Sequence, residues 1–312
     1  MPRYSGGQIS DRSTAKKARD AMRSIDHFVL VAGNLSDARK HYRRMGFNVA
    51  PDGVHPFGTH NANMYFRDGP MIETLSIENH IKYSEAIEAG NTFVKNDAAF
   101  RAAQGDDGFS HVVVTSTDAD MDHDGFLERG ASGGGIVSFS RPFEQPDGRV
   151  ETVAAKLAFA THSKARSGFY FTCEDIVAPA IDRSLLLDHE NGALRAKHVI
   201  SCSREPLTHV DFLRGLFESN EISVSDQNVD CLVPNGRASI VTPEVLAQDF
   251  GMKHSRTGAD LLHRGLVFGV TDLQKTKALF TQNQILFERH NERLVTQLSP
   301  EPGPFFVFEQ RR

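Results

Sequence analysis

One arrangement recurs four times along this chain, and it restricts the fold more than any other feature. Each copy reads as a short apolar strand, a turn with a capping residue, an amphipathic helix, and two or three further strands. The first opens on Ile25-Asp26-His27-Phe28-Val29-Leu30-Val31. Asn34 or Ser36 can cap its helix, Ala38, Tyr42 and Met45 fall at helical spacing, and Gly46 ends it. Strands are expected near 48–50 and 63–66, and the turn Asp68-Gly69-Pro70 leads into a strand over 71–77. The second copy opens on Phe109-Ser110-His111-Val112-Val113-Val114, with Asp118 or Asp120 as cap, Phe126 and Leu127 on the helix, and strands near 135–139, 150–159 and 168–173. The third opens on Lys197-His198-Val199-Ile200-Ser201-Cys202, carries Val210, Leu213 and Phe217 on its helix, and has strands near 222–224, 229–233 and 238–241. The fourth opens on Gly265-Leu266-Val267-Phe268-Gly269-Val270, with Thr271 or Asp272 as cap, Leu273, Ala278 and Phe280 on the helix, and strands near 285–288, 294–298 and 304–309. The pattern predicts an α+β protein of tandem βαβββ modules, the last two degenerate.

The module boundaries divide the 312 residues into a flexible N-terminal tail over 1–24, a first domain over 25–175 and a second over 176–312. The first domain holds modules 25–78 and 109–174 around a helical linker over 79–108; the second holds modules 195–241 and 263–310. Ile81, Ala86, Phe93 and Phe100 make the linker's apolar positions. The tail carries Arg3, Arg12, Lys16, Lys17 and Arg19, lacks an apolar signal core, and suggests a short helix after Asp11.

A net charge of −5 argues against a nucleic-acid partner, and no apolar run is long enough to span a membrane. Cys173, Cys202 and Cys231 are widely spaced and in no ligating motif, so they read as reduced thiols, and the cytoplasm is the expected location. With 22 phenylalanines and no tryptophan, Phe must supply most aromatic packing. The Gly133-Gly134-Gly135 run lacks the Lys-Ser/Thr and strand-to-helix context of a phosphate loop and reads as a turn.

Two stretches resemble the glyoxalase-like domain family of the vicinal-oxygen-chelate superfamily, which also includes bleomycin-resistance proteins and extradiol dioxygenases. The first is the opening strand with His27, then Gly58-Thr59-His60-Asn61, then Gly69-Pro70-Met71-Ile72-Glu73-Thr74-Leu75. The second is Phe169-Tyr170-Phe171-Thr172-Cys173 followed by His189-Glu190-Asn191-Gly192-Ala193. The resemblance implies paired modules curved into open β-barrel clefts, which in much of the superfamily hold a divalent metal.

In such a cleft His27 and His111 occupy matching strand openings, and Glu73 stands four residues after Gly69, so the three form a candidate metal triad for Fe, Mn, Ni or Zn. Counting four residues from the corresponding glycines places Thr172, Ile240 and Val307 in the other modules. Thr172 departs from a four-ligand glyoxalase I pattern, with Glu174 as the fourth ligand if the register slips. His55 and His60 are candidate acid–base residues, and Asn61, Arg141 and Lys156 candidate substrate contacts. Arg149 shares the charged strands of the second module. The second half lacks a ligand set. The expected function is metal-dependent chemistry on a small oxygenated molecule, as a lyase, isomerase or ring-cleaving dioxygenase. A metal-free binding protein of the resistance type is the alternative, and homodimerisation is left open.

Overall fold

The computed structural model describes residues 22–144, 149–163, 165, 167–253, 260–298 and 303–311. The helix expected after Asp11 lies outside them. Four βαβββ modules are present. The first contains strands β1 (Ile25–Val31), β2 (Asp52–Val54), β3 (Thr59–Met64) and β4 (Met71–Ile77). The second contains β5 (Gly108–Thr115), β6 (Val137–Glu144), β7 (Val150–Ala160) and β8 (Phe169–Val177). The third contains β9 (Ala193–Cys202), β10 (Ile222–Ser225), β11 (Asn228–Val233) and β12 (Gly236–Val241), and the fourth β13 (Leu262–Val270), β14 (Glu288–His290), β15 (Arg293–Gln297) and β16 (Phe305–Gln310).

The strands form two eight-stranded sheets of identical order, β2-β3-β4-β1-β5-β8-β7-β6 and β10-β11-β12-β9-β13-β16-β15-β14. In each, the opening strands of two modules pair antiparallel at the centre, and each opening strand pairs parallel with its own module's last strand. The alternative caps resolve to Asn34, Asp118 and Asp272, whose side chains accept from the N–H groups of Asp37, Met121 and Gln274.

Several expectations on the elements are corrected. Residues 48–50 form no strand; Arg39 donates to the carbonyl oxygens of Val49 and Ala50, and the Ala50 N–H alone bonds across to Asn63. The strand expected at 63–66 instead runs over Thr59–Met64; its polar inward side chains obscure the pattern. The linker is two helices, α2 (His80–Glu88) and α3 (Thr92–Gln104), with α1 being Leu35–Arg44. They break at Gly90, whose φ of 85° belongs to the left-handed region, and Asn91 caps the second. Ile81 is 73% exposed and takes no part in the core. The end of the expected tail is tied down: Arg23 bonds Asp122 at 2.5 Å and Glu218 at 2.7 Å.

One face of each sheet contributes to a core shared by both halves, where Phe47 lies against Phe268 and Phe306. The opposite face of the first sheet packs Val29, Leu75, Val113 and Phe171 against Phe93 and Phe100 of α3. The segment containing His189 and Asn191 joins the halves. His189 Nδ1 accepts from the Asn48 N–H, so Nε2 donates to the Tyr65 carbonyl, both at 2.9 Å. Asn191 donates to the Met45 carbonyl, and Asn235 bonds both the N–H and the carbonyl of Ile25.

Two buried histidines give the fold an acid sensitivity. Burial, with Arg237, Arg293 and Lys197 nearby, holds His198 well below the usual imidazole range. Burial holds His263 down to about 4. Both are neutral when folded but bind a proton in the unfolded chain below a pH of about 6.5. Stability is therefore expected to fall as pH drops below that value, by about 1.4 kcal/mol per pH unit for each histidine until its folded pKa is reached. Urea midpoints at pH 7.5 and 5.0, with His263→Gln showing a shallower loss, check this; equal midpoints refute it.

Candidate functional site

Strand alternation sends His27, Asn61 and Glu73 to the same face of the first sheet. There they line a cavity of about 730 Å³ with His55, Phe139 and Arg141. Glu73 is the hub. Its Oε1 accepts from Asn61 Nδ2 at 2.5 Å and stands 3.7 Å from His55 Nε2, and its Oε2 stands 3.5 Å from His27 Nε2. The far ring nitrogens are also anchored: His27 Nδ1 is 2.5 Å from Asp26 Oδ1, and His55 Nδ1 is 2.9 Å from Thr59 Oγ1. All four cleft residues are buried.

The charges follow from these contacts. Burial would raise the Glu73 carboxyl, but His27, His55 and Asn61 outweigh it and hold it at about 2. Burial would lower His27, but Asp26 and Glu73 raise it to about 10. His55 lacks a direct carboxylate hydrogen bond, and burial wins, taking it to about 4. With no metal bound, the polar group therefore holds one imidazolium, one carboxylate and one neutral imidazole.

The register revises the comparison between modules. His27, His111, His198 and Gly265 are equivalent, pairing with Met71, Phe169, Arg237 and Phe305. The equivalents of Glu73, two residues further on, are thus Phe171, Ser239 and Val307. Thr172 and Ile240 are one place off, because Pro70 and Pro304 insert a residue after the turn glycine in modules one and four, and modules two and three have none. Thr172 and Glu174 consequently face away from the cleft. Glu174 accepts from the Ala119 N–H at 2.9 Å, at the start of helix α4 (Ala119–Glu128), and is not beside Glu73. In the third module His198 Nε2 lies 2.6 Å from Ser239 Oγ, and Ser239 donates to Asp230.

The other expected residues divide clearly. His111 shares the face of His27 but is fully buried and outside the cavity lining. Phe93 stacks on its ring at 5.6 Å, and the Phe171 ring lies 5.4 Å from it and 5.8 Å from His27. Its Nδ1 is 2.8 Å from Ser110 Oγ, and its Nε2 has no hydrogen-bond partner among the described residues. His60 points opposite to Asn61 and does not line the cavity. Lys156 is also outside it, ion-paired with Asp120 on α4. Asn61 and Arg141 are in the lining. Cys173, half-buried, lines the cavity as well; all three cysteines are free.

The donor set fits a divalent ion in chemistry and outer contacts. Two imidazole Nε2 atoms face one carboxylate, and each ring's Nδ1 is oriented by an oxygen, the arrangement that fixes ligating histidines. The separations of 3.5 and 3.7 Å exceed good hydrogen bonds. Among the described residues, no group of three or more His, Cys, Asp or Glu side chains is arranged so as to hold a metal ion. To serve as a ligand, His27 would have to give up the proton that Asp26 and Glu73 hold on it.

A family model for a glyoxalase-like domain matches residues 25–217, more than half of the chain and past residue 175 into the third module. The chain belongs to the glyoxalase-like domain family of the vicinal-oxygen-chelate superfamily. Among solved structures, a hypothetical protein from Staphylococcus aureus is similar over 93% of this chain and 100% of its own, with a TM-score of 0.64 and 12% identity. A variant of 4-hydroxymandelate synthase from Streptomyces coelicolor matches over 93% and 94%, with a TM-score of 0.51 and 12% identity. The Mn(II)-bound glyoxalase from Novosphingobium aromaticivorans matches over 92% and 81%, with a TM-score of 0.53 and 8% identity. At these identities the likeness concerns the fold. No curated protein matches the sequence. No helix among the described residues is long and apolar enough to cross a membrane.

Proposed function

We propose that the first-half cleft is the active site of a metal-dependent enzyme acting on a small oxygenated molecule. The observation carrying this reading is the pair of anchored imidazoles, His27 and His55, facing the two oxygens of Glu73. These three residues would hold the ion. His55 takes the place first given to His111, because it reaches the cavity and Phe93 covers His111. A bound divalent ion would polarise adjacent substrate oxygens and offset developing negative charge. Asp26 and Thr59 orient the two rings, and Asn61 fixes the carboxylate. Phe139 and Phe57 stand beside His55 at 5.5 and 5.1 Å and keep water from that side of the group. The Mn(II) ion of one structural neighbour and the synthase chemistry of another support the reading by analogy alone.

The test is metal content by mass spectrometry on purified chains. His55→Ala should lose metal with the wild type as reference, whereas His60→Ala and His111→Ala should keep it. Retention in His55→Ala with loss in His111→Ala would restore the original triad. Oxygen uptake with a catechol panel then separates ring cleavage from isomerase or lyase chemistry. Metal-free sequestration of a small apolar ligand is the second reading, favoured by the aromatic lining and by the ion pairs that already satisfy His27. A wild type without metal after reconstitution supports it.

A further inference from the structure

We propose that Arg141 is the specificity-determining residue of the cleft and selects substrates bearing a carboxylate on an apolar body. This rests on the cleft being the substrate site, but not on a metal being bound. Arg141 lies on the edge strand β6 between Phe139 and Phe143, and all three line the cavity. Across β7 its register partner is Val153, so its own wall of the cleft is apolar.

The guanidinium crosses the mouth to the opposite edge of the same sheet. Both of its terminal nitrogens lie 3.0 Å from where a Cβ on Gly53 would stand, and Asn61 Oδ1 lies 2.6 Å from that point. Gly53, on the edge strand β2, thus leaves the space that brings Arg141 toward the Asn61–Glu73 end of the cavity. A side chain there would push the guanidinium out.

The lining carries four carboxylates, Asp26, Glu73, Asp175 and Asp182, and Arg141 stands out by its contacts rather than by net charge. Glu73 and Asp26 share His27, and Arg183, another cation in the lining, covers the Tyr65 ring at 4.5 Å. Among the described residues no carboxylate or hydrogen-bond acceptor partners Arg141. A half-buried guanidinium on an apolar wall gains most from a planar, bidentate anion, which a carboxylate supplies. With its carboxylate on Arg141, a bound molecule lays its apolar body along Phe139 and Phe143. Its remaining oxygens then face the Glu73 group.

Matched pairs of 2-hydroxy acids and their amides, beginning with phenyllactate and phenyllactamide, test this by isothermal titration calorimetry on the full chain. The acids are expected to bind the wild type at least tenfold more tightly than the amides. Arg141→Leu should erase that preference while leaving amide affinity within about twofold, and Arg141→Lys should restore part of it. Gly53→Ala keeps the charge but displaces it, and should also reduce the preference. Equal affinities in the wild type, or a preference surviving in Arg141→Leu, overturn the proposal while leaving the cleft reading intact. Binding of no acid or amide overturns both. Persistence of the preference in Glu73→Gln supports an anchor that works without the metal.

Discussion

Glu73→Gln is expected to reduce bound metal to background and to destabilise the fold together. The side chain keeps its size and can still bond Asn61, so packing is conserved. What disappears is the charge that faces His27 and His55. As a ligand, a neutral amide is a poor substitute for a carboxylate on a hard divalent ion, and loss of one of the three proposed donors would remove most of the affinity. For the fold, His27 retains only Asp26 as a carboxylate partner. Removing one partner of a buried ion pair typically costs roughly 3–5 kcal/mol. The surviving contact to Asp26 places the expected cost at the lower end of that range. In a protein of this size the melting temperature should then drop by on the order of 5–10 °C. Metal analysis and calorimetry on the same preparations check both effects. Unchanged metal content would remove Glu73 from the ligand set, whatever the melting temperature does.

The His27–Glu73 pair was legible because both positions depend on local strand parity. His27 opens an apolar strand and Glu73 sits on the inward face of another, so alternation alone puts them together. His111 obeys the same parity, but its fate is decided by Phe93. That residue arrives from a linker helix 18 positions earlier in the chain. No periodicity announces that contact. His55 and His60 began as equals, and the parity of β3 separates them: Thr59 and Asn61 point inward, so His60 points outward, whereas His55 is held from below by Thr59. The polarity of that strand concealed its boundaries for the same reason that it matters: an inward face built to hold a carboxylate does not look like a core face. Counting four residues from the turn glycine lands one place off at Thr172 and Ile240, because Gly168 and Gly236 are not followed by the proline that follows Gly69 and Gly303. The shared order of all four modules was readable because strand, cap and helix signals are local; the joining of the halves into one core was not, since it depends on side chains from distant modules.

That joining predicts the effect of Phe47→Ala. Phe47 follows the first helix, is 3% exposed, and belongs to the first module. Its ring nevertheless meets Phe268, Phe306 and Phe308 of the fourth module, at centroid distances of 5.4, 5.9 and 6.0 Å, as well as Phe66 and His189. Truncation removes an aromatic side chain from a close-packed core and leaves a void that its rigid aromatic neighbours can fill only in part. Such replacements cost about 3–5 kcal/mol. Because the void lies between halves, the loss should be felt by both. A single calorimetric transition is expected for the wild type, displaced as a whole in Phe47→Ala. Two transitions, with only the first-half one displaced, would show that each sheet carries its own core and that the shared one contributes little. The distinction reaches the cleft as well. His189 touches the ring of Phe47 and bonds the backbone at Asn48 and Tyr65, and Tyr65 lines the cavity. If the halves melt together, the second sheet stabilises the wall on which the cleft is built, which gives a half with no carboxylate in the Glu73 slot a physical reason to be retained.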